Sequence, residues 1–311
     1  MPLSEADLLV DRRRLKRQIS FWRLAAILVA LATIVGSALQ FGRPLVGHGH
    51  IGRFSVTGVI ADDRPRFEAL REAARDPRLK AIVVRIDSPG GTVVASEELY
   101  RQLRQIAGRI PVVAVMGQTA ASGGYMVALG ADRIFAREGT ITGSIGVLMQ
   151  TADVSGLLRK LGVSMEQIRS VPLKAVPNPL EPLTDEGRRA VREIIEDMHA
   201  MFVGMVAERR RLDADRALRV SDGRVYTGRQ ALPLGLVDEL GGEDAALDWL
   251  AKERGVPRDM PVRDVRVSRP GEGWRDLSSR ALSALTGKSY LPERLTIDGL
   301  VALWHPDLGQ R

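Results

Sequence analysis

One serine of this chain lies where a nucleophile could act. Ser122 stands within "GQTAASGGYMVALGA" (residues 117–131), after a run that predicts a buried strand and at the start of a predicted helix. Free N–H groups at a helix start stabilise the negative charge that forms when a hydroxyl attacks a carbonyl. A serine before two glycines also fits an ordinary tight turn. This stretch alone therefore leaves both interpretations open.

A second stretch, "RIDSPGGTV" (residues 85–93), follows the preceding predicted strand. Its adjacent glycines, Gly90 and Gly91, permit a turn with positive φ and leave backbone N–H groups uncovered by side chains. Because α/β proteins place their sites at the carboxyl ends of parallel strands, we expect Gly91 and Ser122 at the same sheet edge. The amides of Gly91 and Gly123 are then the candidate donors to an oxyanion.

A serine hydroxyl needs a base, and the four histidines lie outside the stretches that carry candidate nucleophiles. Lys174 is the alternative, in the proline-rich "SVPLKAVPNPLEPLT" (residues 170–184). The prolines favour an extended backbone, and burial among apolar neighbours would favour the neutral form of the lysine. On this segment alone, an ordinary solvated lysine remains the competing interpretation.

Ser144, in "GTITGSIGVLM" (residues 139–149), offers a second hydroxyl that could hold a neutral amine in place. A buried structural serine explains the same pattern equally well. The chain has no cysteine, which excludes disulfides, thiolate metal sites and a cysteine nucleophile. His48 and His50 have no carboxylate nearby at ligand spacing, so we expect a solvated linker there, with no metal and no other cofactor.

The pattern of elements predicts an α/β fold with a largely parallel sheet. A helix at 63–76, a strand at 80–86, a helix at 96–108 and a strand at 111–116 follow the order of βαβ units. Further strands are predicted at "DRIFA" and around "GVSMEQIRS" (residues 162–170). A long helix is predicted to begin after the capping residue Thr184.

The N-terminal region predicts a membrane anchor. An apolar run at 24–39, flanked by aromatic residues, approaches the length of about 20 residues that spans a bilayer. Several arginines and lysines precede it, so we expect a cytoplasmic basic segment at 1–20, a transmembrane helix at 21–42 and a linker at 43–50. A cleaved secretory signal is the alternative.

Charge and aromatic content give little support to nucleic-acid binding. The net charge of +7 comes from 45 Lys and Arg against 38 Asp and Glu, and part of the excess lies in the N-terminal cluster. Aromatic residues make up only 5% of the chain and are not interleaved with basic residues. Nucleic acid is therefore not expected among the partners.

Five motifs in order resemble the bacterial signal peptide peptidase A family. These are serine proteases of the S49 clan with a Ser/Lys dyad in a Clp-protease-like, crotonase-type fold. The matching pieces are "DSPGG", "ASGGYMVALGAD", "TGSIGV", "LKAVPNPLEPLT" and "RVYTGRQALPLGLVDELGG" (residues 224–242). Val171 and Leu173 depart from the residues frequent in the family, and these departures bear only on the conformation of the lysine loop and the shape of the subsites.

The resemblance implies a role for each matching residue. Ser122 corresponds to the nucleophile, Lys174 to the general base and Ser144 to the hydroxyl that positions the lysine. Gly91 and Gly123 correspond to the oxyanion-hole positions. The resemblance also implies a peptidase domain at 51–255 followed by a C-terminal extension at 256–311. In the family, the Ser and Lys of one site come from different domains, which implies a homo-oligomer with shared sites.

The function implied is a membrane-anchored serine endopeptidase that degrades cleaved signal peptides or similar apolar peptides. The implied location is the bacterial inner membrane, with a single-pass anchor and the catalytic domain on the extracytoplasmic side. Two alternatives stay open: a protease specific for a membrane-associated partner protein, and a catalytically silent membrane scaffold. An acyl-CoA enzyme of crotonase type has a weaker case, since it needs neither the serine nor the anchor.

Overall fold

The computed structural model describes residues 21–32, 49–268 and 300–303. The chain divides into two compact units, Met1–His48 and Gly49–Arg311. In the first unit, residues 21–32 form helix α1, whose large apolar side chains are exposed. Across the described ranges, no helix is both long enough and apolar enough to cross a membrane. The remainder of the predicted anchor, residues 33–42, and the basic segment at 1–20 lie outside those ranges.

The second unit alternates strands and helices. Its strands are β1 (His50–Thr57), β2 (Leu79–Ser88), β3 (Gly90–Thr92), β4 (Val112–Ala121), β5 (Arg133–Ala136), β6 (Ile141–Gly143), β7 (Leu148–Met149), β8 (Val225–Thr227), β9 (Glu239–Leu240), β10 (Val262–Asp264) and β11 (Leu300–Leu303). Its helices are α2 (Arg64–Ala73), α3 (Val93–Ala107), α4 (Gly123–Ala128), α5 (Ser155–Lys160), α6 (Asp185–Arg210), α7 (Ala214–Val220), α8 (Gly228–Ala231) and α9 (Glu243–Arg254).

The main sheet has the order β10-β1-β2-β4-β5-β9, and every neighbouring pair along it is parallel. Strand β6 adds to the carboxyl end of β4 in parallel and pairs antiparallel with β8. A second, three-stranded sheet has the order β3-β11-β7. The predicted α/β class with a largely parallel sheet is therefore confirmed.

Burial on both faces explains why the central strands were recognisable. The apolar residues of β2 and β4 are almost all buried, between helices on one side and α9 on the other. Such strands appear in a sequence as short unbroken runs of β-branched residues. Helix α3 begins at Val93, three residues before its predicted start, because the Thr92 side chain accepts a hydrogen bond from the amide of Ala95.

Outside the central strands, the structure differs from the predicted elements at two places. The strand predicted around residues 162–170 is wrong: the structure has no strand there, and Ile168 is 96% exposed. Within the described chain, no neighbouring strand offers backbone hydrogen bonds to this segment. By contrast, the segment after residue 255, expected to be an extension or linker, supplies β10, an edge strand of the main sheet.

The "GLVDELGG" stretch holds the end of α6 to the sheet. Arg210 donates to both Asp238 carboxylate oxygens, and one of these also accepts from the amide of Ile134. The hydroxyl of the buried Tyr125 donates to the carbonyl of Leu236 at 2.8 Å, and burial raises the pKa of this phenol. These contacts give the stretch a structural part, since they tie α4, α6 and β5 together.

Candidate active site

Ser122 is the single residue between strand β4 and helix α4. It adopts φ 54° and ψ −118°, a conformation with positive φ that a residue with a side chain rarely adopts. Its amide donates to the carbonyl of Gly143 at 2.7 Å, and its carbonyl accepts from the amide of Met126 at 3.0 Å. Its side chain does not cap α4. The backbone is thus fixed in a strained strand-to-helix turn that leaves the hydroxyl uncommitted to the helix.

The turn at Ser122 forms without the sequence pattern that marks such turns in other hydrolases. The stretch lacks the G-x-S-x-G pattern, yet Ser122 has the sharp strand-to-helix turn that this pattern produces in other hydrolases. Neighbouring glycines make the turn possible, because the small residues before and after Ser122 leave room for close backbone contacts. The conformation therefore belongs to the turn itself and does not depend on that pattern.

Gly123 and Gly91 lie against each other beside this turn. A Cβ added to Gly123 would stand 2.3 Å from the Oγ of Ser96 and 3.2 Å from the backbone nitrogen of Gly91. Both glycines are buried. The structure therefore brings together Ser122 and the two predicted oxyanion donors.

The edge of β3 determines where the Gly91 amide points. Ile60 donates its amide to the carbonyl of Gly90 and accepts from the amide of Thr92, each at 2.8 Å. Since successive peptide groups along a strand point to opposite sides, the N–H of Gly91 faces away from Ile60. On that opposite edge, β11 pairs antiparallel with β3, and Ala302 lies opposite Gly91.

We expect Gly91→Ala to lower kcat/KM by at least about 100-fold, the usual effect of losing one oxyanion donor. An added Cβ would stand only 1.8 Å from the carbonyl oxygen of Ile60, so β3 must move and carry the amide with it. The matched control is Gly139→Ala, whose Cβ meets no atom within 4 Å. Peptide hydrolysis and thermal unfolding are measured for both variants. A Gly91→Ala chain with the parental rate would contradict the assignment.

Ser144 lies next to Ser122, at the end of the neighbouring strand. In the parallel pairing of β4 with β6, Ala121 is opposite Gly143, so Ser122 and Ser144 are the next residues on adjacent strands. Adjacent strands are about 4.8 Å apart. Ser144 is buried, has φ 50° and donates its amide to the carbonyl of Arg224 at 2.8 Å. The structure therefore joins Ser144 to the group formed by Ser122, Gly91 and Gly123.

Lys174 is not brought to this group within one chain. Its side chain is exposed, whereas Ser122 is 1% exposed, and no hydrogen bond joins Lys174 to Ser122 or Ser144 in the described ranges. The lysine lies in a segment between α5 and α6 that has no regular secondary structure and several exposed apolar side chains. A single chain thus brings together the predicted nucleophile and the predicted oxyanion donors, while the predicted base lies elsewhere.

The sequence did not predict the part that two further residues, Ile60 and Ser96, play in shaping the site. Ile60 makes an isolated bridge to Gly91 and fixes the direction of its peptide groups. Ser96 is buried, donates its hydroxyl to the carbonyl of Thr92 at 2.9 Å and closes the space beside Gly123. An isoleucine after a short turn and a serine in the first turn of a helix carry no distinctive pattern, so only the fold reveals their position.

Comparison with known proteins identifies relatives of the chain. The model of "Peptidase family S49" matches residues 104–257, which include Ser122, Ser144 and Lys174. A candidate protease of Synechocystis sp. is 42% identical over 216 residues, covering 69% of this chain and 78% of the relative. A candidate signal peptide peptidase A of Enterococcus faecium is 36% identical over 218 residues, covering 66% of this chain and 63% of the relative.

Among solved structures, a variant of the 1510-N membrane-bound stomatin-specific protease covers 72% of this chain and 100% of its own, with 18% identity and a TM-score of 0.48. The family assignment depends on the sequence relatives, above all on the Synechocystis protein. The match covers most of the length of that protein, and more than two in five of the matched residues are identical. The chain belongs to peptidase family S49 and is a protease.

Proposed function

We propose that this protease is a serine endopeptidase that cleaves peptide bonds through an acyl-enzyme on Ser122, with Lys174 as the general base. The observation that carries the proposal is the strained turn that holds Ser122 beside the amides of Gly91 and Gly123. A nucleophile needs nearby donors for the oxyanion it creates, and two backbone amides meet that need without a cofactor.

The proposed reaction has two halves. The neutral amine of Lys174 takes the proton of the Ser122 hydroxyl as its Oγ attacks the carbonyl carbon, and the oxyanion accepts hydrogen bonds from Gly91 and Gly123. The protonated lysine gives its proton to the leaving amine, and the C–N bond breaks. A water, deprotonated by the lysine, then attacks the carbonyl carbon of the ester. The bond from that carbon to Ser122 Oγ breaks, the protonated lysine returns its proton to Oγ, and the acid product leaves. The Ser144 hydroxyl holds the amine in position.

The edge of β3 that faces away from Ile60 is the proposed place of the peptide substrate. There the chain's own strand β11 runs antiparallel to Gly90–Thr92, which supports binding of an extended peptide by strand addition. A substrate strand on this edge would take the position of Leu300–Leu303. Val94, which comes shortly after β3, and Leu148, which lies in β7, are both exposed. An apolar border of this kind suits apolar peptides such as cleaved signal peptides.

A neighbouring subunit is the proposed source of the lysine. The segment that carries Lys174 exposes several large apolar side chains: Leu161, Val163, Met165, Ile168, Val171 and Leu173. Exposed apolar residues in such number are typical of an interface. We propose a homo-oligomer in which this segment packs on the next copy and completes its site.

Membrane attachment is the remaining part of the proposal. The exposed apolar side chains of α1 and the uncharged run that continues to residue 39 support a single-pass anchor at 21–42. The basic residues before it support a cytoplasmic N-terminus, with residues 51–255 as a catalytic domain of Clp-protease and crotonase type on the extracytoplasmic side of a bacterial inner membrane.

Acid quenching of a rapidly hydrolysed peptide ester, followed by peptide mapping by mass spectrometry, tests the mechanism. With the full chain in detergent, we expect the acyl group on the fragment that contains Ser122, because the ester intermediate is stable in acid. The same experiment with Ser144→Ala checks which serine is modified. An acyl group on another residue would overturn the proposed nucleophile.

A further inference from the structure

Lys174 lies in a tight turn that needs support from outside itself. The Lys174 amide donates to the carbonyl of Val171 at 3.2 Å, and the amide of Val176 donates to the carbonyl of Leu173 at 3.3 Å. Ala175 has φ 61°, in the left-handed region that alanine rarely occupies. Weak local hydrogen bonds and an unfavourable φ do not hold a turn by themselves, so other contacts must fix it.

Four polar side chains form a closed ring beneath this turn, which we call the polar ring: Gln167, Arg169, Asn178 and Glu181. Arg169 donates to the carboxylate of Glu181 and to the side-chain oxygen of Gln167. Asn178 donates to the same Glu181 oxygen at 2.8 Å. Gln167 closes the ring by donating to the side-chain oxygen of Asn178 at 3.2 Å.

The polar ring also binds the backbone on both sides of Lys174. Arg169 donates to the carbonyl of Pro172 at 3.4 Å, two residues before the lysine. Asn178 donates to the carbonyl of Ala175 at 3.1 Å, one residue after it. These two bonds reach the turn from opposite ends and include the residue with the unfavourable φ. The ring therefore has the geometry of a support for the lysine backbone.

Arg169, Asn178 and Glu181 of the ring are half-buried, whereas Gln167 and the lysine are exposed. The side chain of Arg169 is 17% exposed and that of Glu181 is 36% exposed. The Arg169 guanidinium holds the pKa of the Glu181 carboxyl below its usual value, with a further contribution from Asn178. The ring also borders a cavity of 550 Å³ under the turn, into which Glu186 faces from α6. Arg169, Glu181 and Glu186 are the charged groups lining that cavity.

We propose that Arg169, Asn178 and Glu181 are positioning residues that fix Lys174 in the direction required by the active site it completes. The proposal rests on the proposed function, since it assigns these residues a part only if Lys174 is the base. A general base must lie within hydrogen-bond reach of its proton, and a displacement of about 1 Å can lower the rate by about 100-fold. A ring that binds both ends of the turn restricts that displacement.

The pH dependence of kcat separates positioning from a merely structural role. The base acts in its neutral form, so kcat rises with pH, and its midpoint reports the lysine in its bound place. A lysine released to solvent would move the midpoint upward. Loss of the Glu181 negative charge, acting through electrostatics alone, would disfavour the ammonium form and move the midpoint downward. The two explanations thus predict opposite signs for Glu181→Ala.

The experiment compares Asn178→Ala and Glu181→Ala in the full chain, with an internally quenched apolar peptide as substrate. The matched control is Glu239→Ala, which breaks the ion pair between Glu239 and Arg133. The Glu239 side chain has an exposure similar to that of Glu181, and it is distant in the chain from Lys174. We expect kcat at pH 7.5 to fall about 10-fold in both ring variants, with KM changed less than about two-fold. We also expect the midpoint to rise and activity to recover in part at pH 10. Glu239→Ala keeps the parental profile.

Three results would overturn parts of this scheme, and each identifies which part. If Lys174→Ala retains the parental kcat, the proposed base is wrong and the positioning role falls with it. If Lys174→Ala is inactive while both ring variants match the parent, only the positioning role is wrong. If kcat falls in the ring variants with a lower melting temperature and an unmoved midpoint, the ring supports folding alone, and the positioning role is again wrong.

Discussion

Replacing Ser122 by alanine is expected to lower kcat by about 10⁴-fold or more while KM changes little. Loss of a serine nucleophile removes the covalent path entirely, and the rate that remains comes from binding and the oxyanion donors. The strained backbone of the turn should survive, because the hydrogen bonds of the residue to Gly143 and Met126 involve main-chain atoms alone. Hydrolysis of an internally quenched apolar peptide by the full chain measures the effect.

Ser221→Ala is the matched control for this prediction. Ser221 is 1% exposed, as is Ser122, and its main-chain carbonyl, not its hydroxyl, receives the contact from His199. The same atom is therefore removed from an equally buried place outside the site. We expect parental kcat for Ser221→Ala and an unchanged melting temperature for Ser122→Ala. A Ser122→Ala chain that keeps a tenth of the parental kcat would exclude Ser122 as the nucleophile.

The strained backbone at Ser122 supports the proposed role of this residue. A residue with a side chain and a positive φ costs of order 1–3 kcal/mol and persists only where the surroundings fix it. Here the carbonyl of Gly143 on one side and the first turn of α4 on the other fix the backbone. Ser144 also has a positive φ and lies at the matching place on the next strand. The fold thus places two serines side by side at the edge of the sheet.

Those parts of the fold and site that follow from local rules could be predicted from the sequence. Strands β2 and β4 are buried on both faces and so appear as unbroken apolar runs. Because both are parallel, the pattern of the chain alone predicts that Gly91 and Ser122, which follow them, share one edge of the sheet. The position of Ser144 required a third strand, whose short length gives little signal, and here the family resemblance supplied the expectation.

Features that depend on distant partners could not be predicted in this way. Residues 162–170 contain β-branched residues, and apolar and polar residues alternate weakly along them. A strand forms only where another strand offers hydrogen bonds, and no such partner strand for this segment is present in the described chain. The pairing of β11 with β3 joins residues about 210 positions apart, a separation at which no local pattern acts. The polar ring likewise depends on four side chains whose meeting follows from the path of an irregular segment.

Mixing two inactive variants is expected to restore activity. Ser122→Ala and Lys174→Ala chains are co-expressed with different tags, and the oligomers are purified by both tags in turn. If each site takes its serine from one copy and its lysine from the next, the two copies that form a site can be combined from the two variants in four ways. Both groups are intact in about a quarter of them, if the copies assemble at random in a ring. We therefore expect roughly a quarter of the parental rate per chain, from two variants that are each inactive alone.

The physical reason is the position of Lys174 in a single chain. Its side chain is exposed, and the apolar residues around it face solvent, while Ser122 and Ser144 are buried together elsewhere on the fold. Packing of this segment on a second copy would cover the apolar residues and shield the lysine at once, and shielding favours the neutral form that a base requires. Assembly and activation would then be the same event.

The control pairs Ser122→Ala with a chain that carries both Ser122→Ala and Lys174→Ala, because this mixture contains no serine nucleophile and must stay inactive in every arrangement. If Lys174 instead served the Ser122 of its own chain, the first mixture would also stay inactive, since each copy lacks one of the two groups. Recovery of activity in doubly tagged oligomers thus requires a site made by two copies. Its absence, with both tags present in one particle, would contradict the shared site and leave the lysine to act within its own chain.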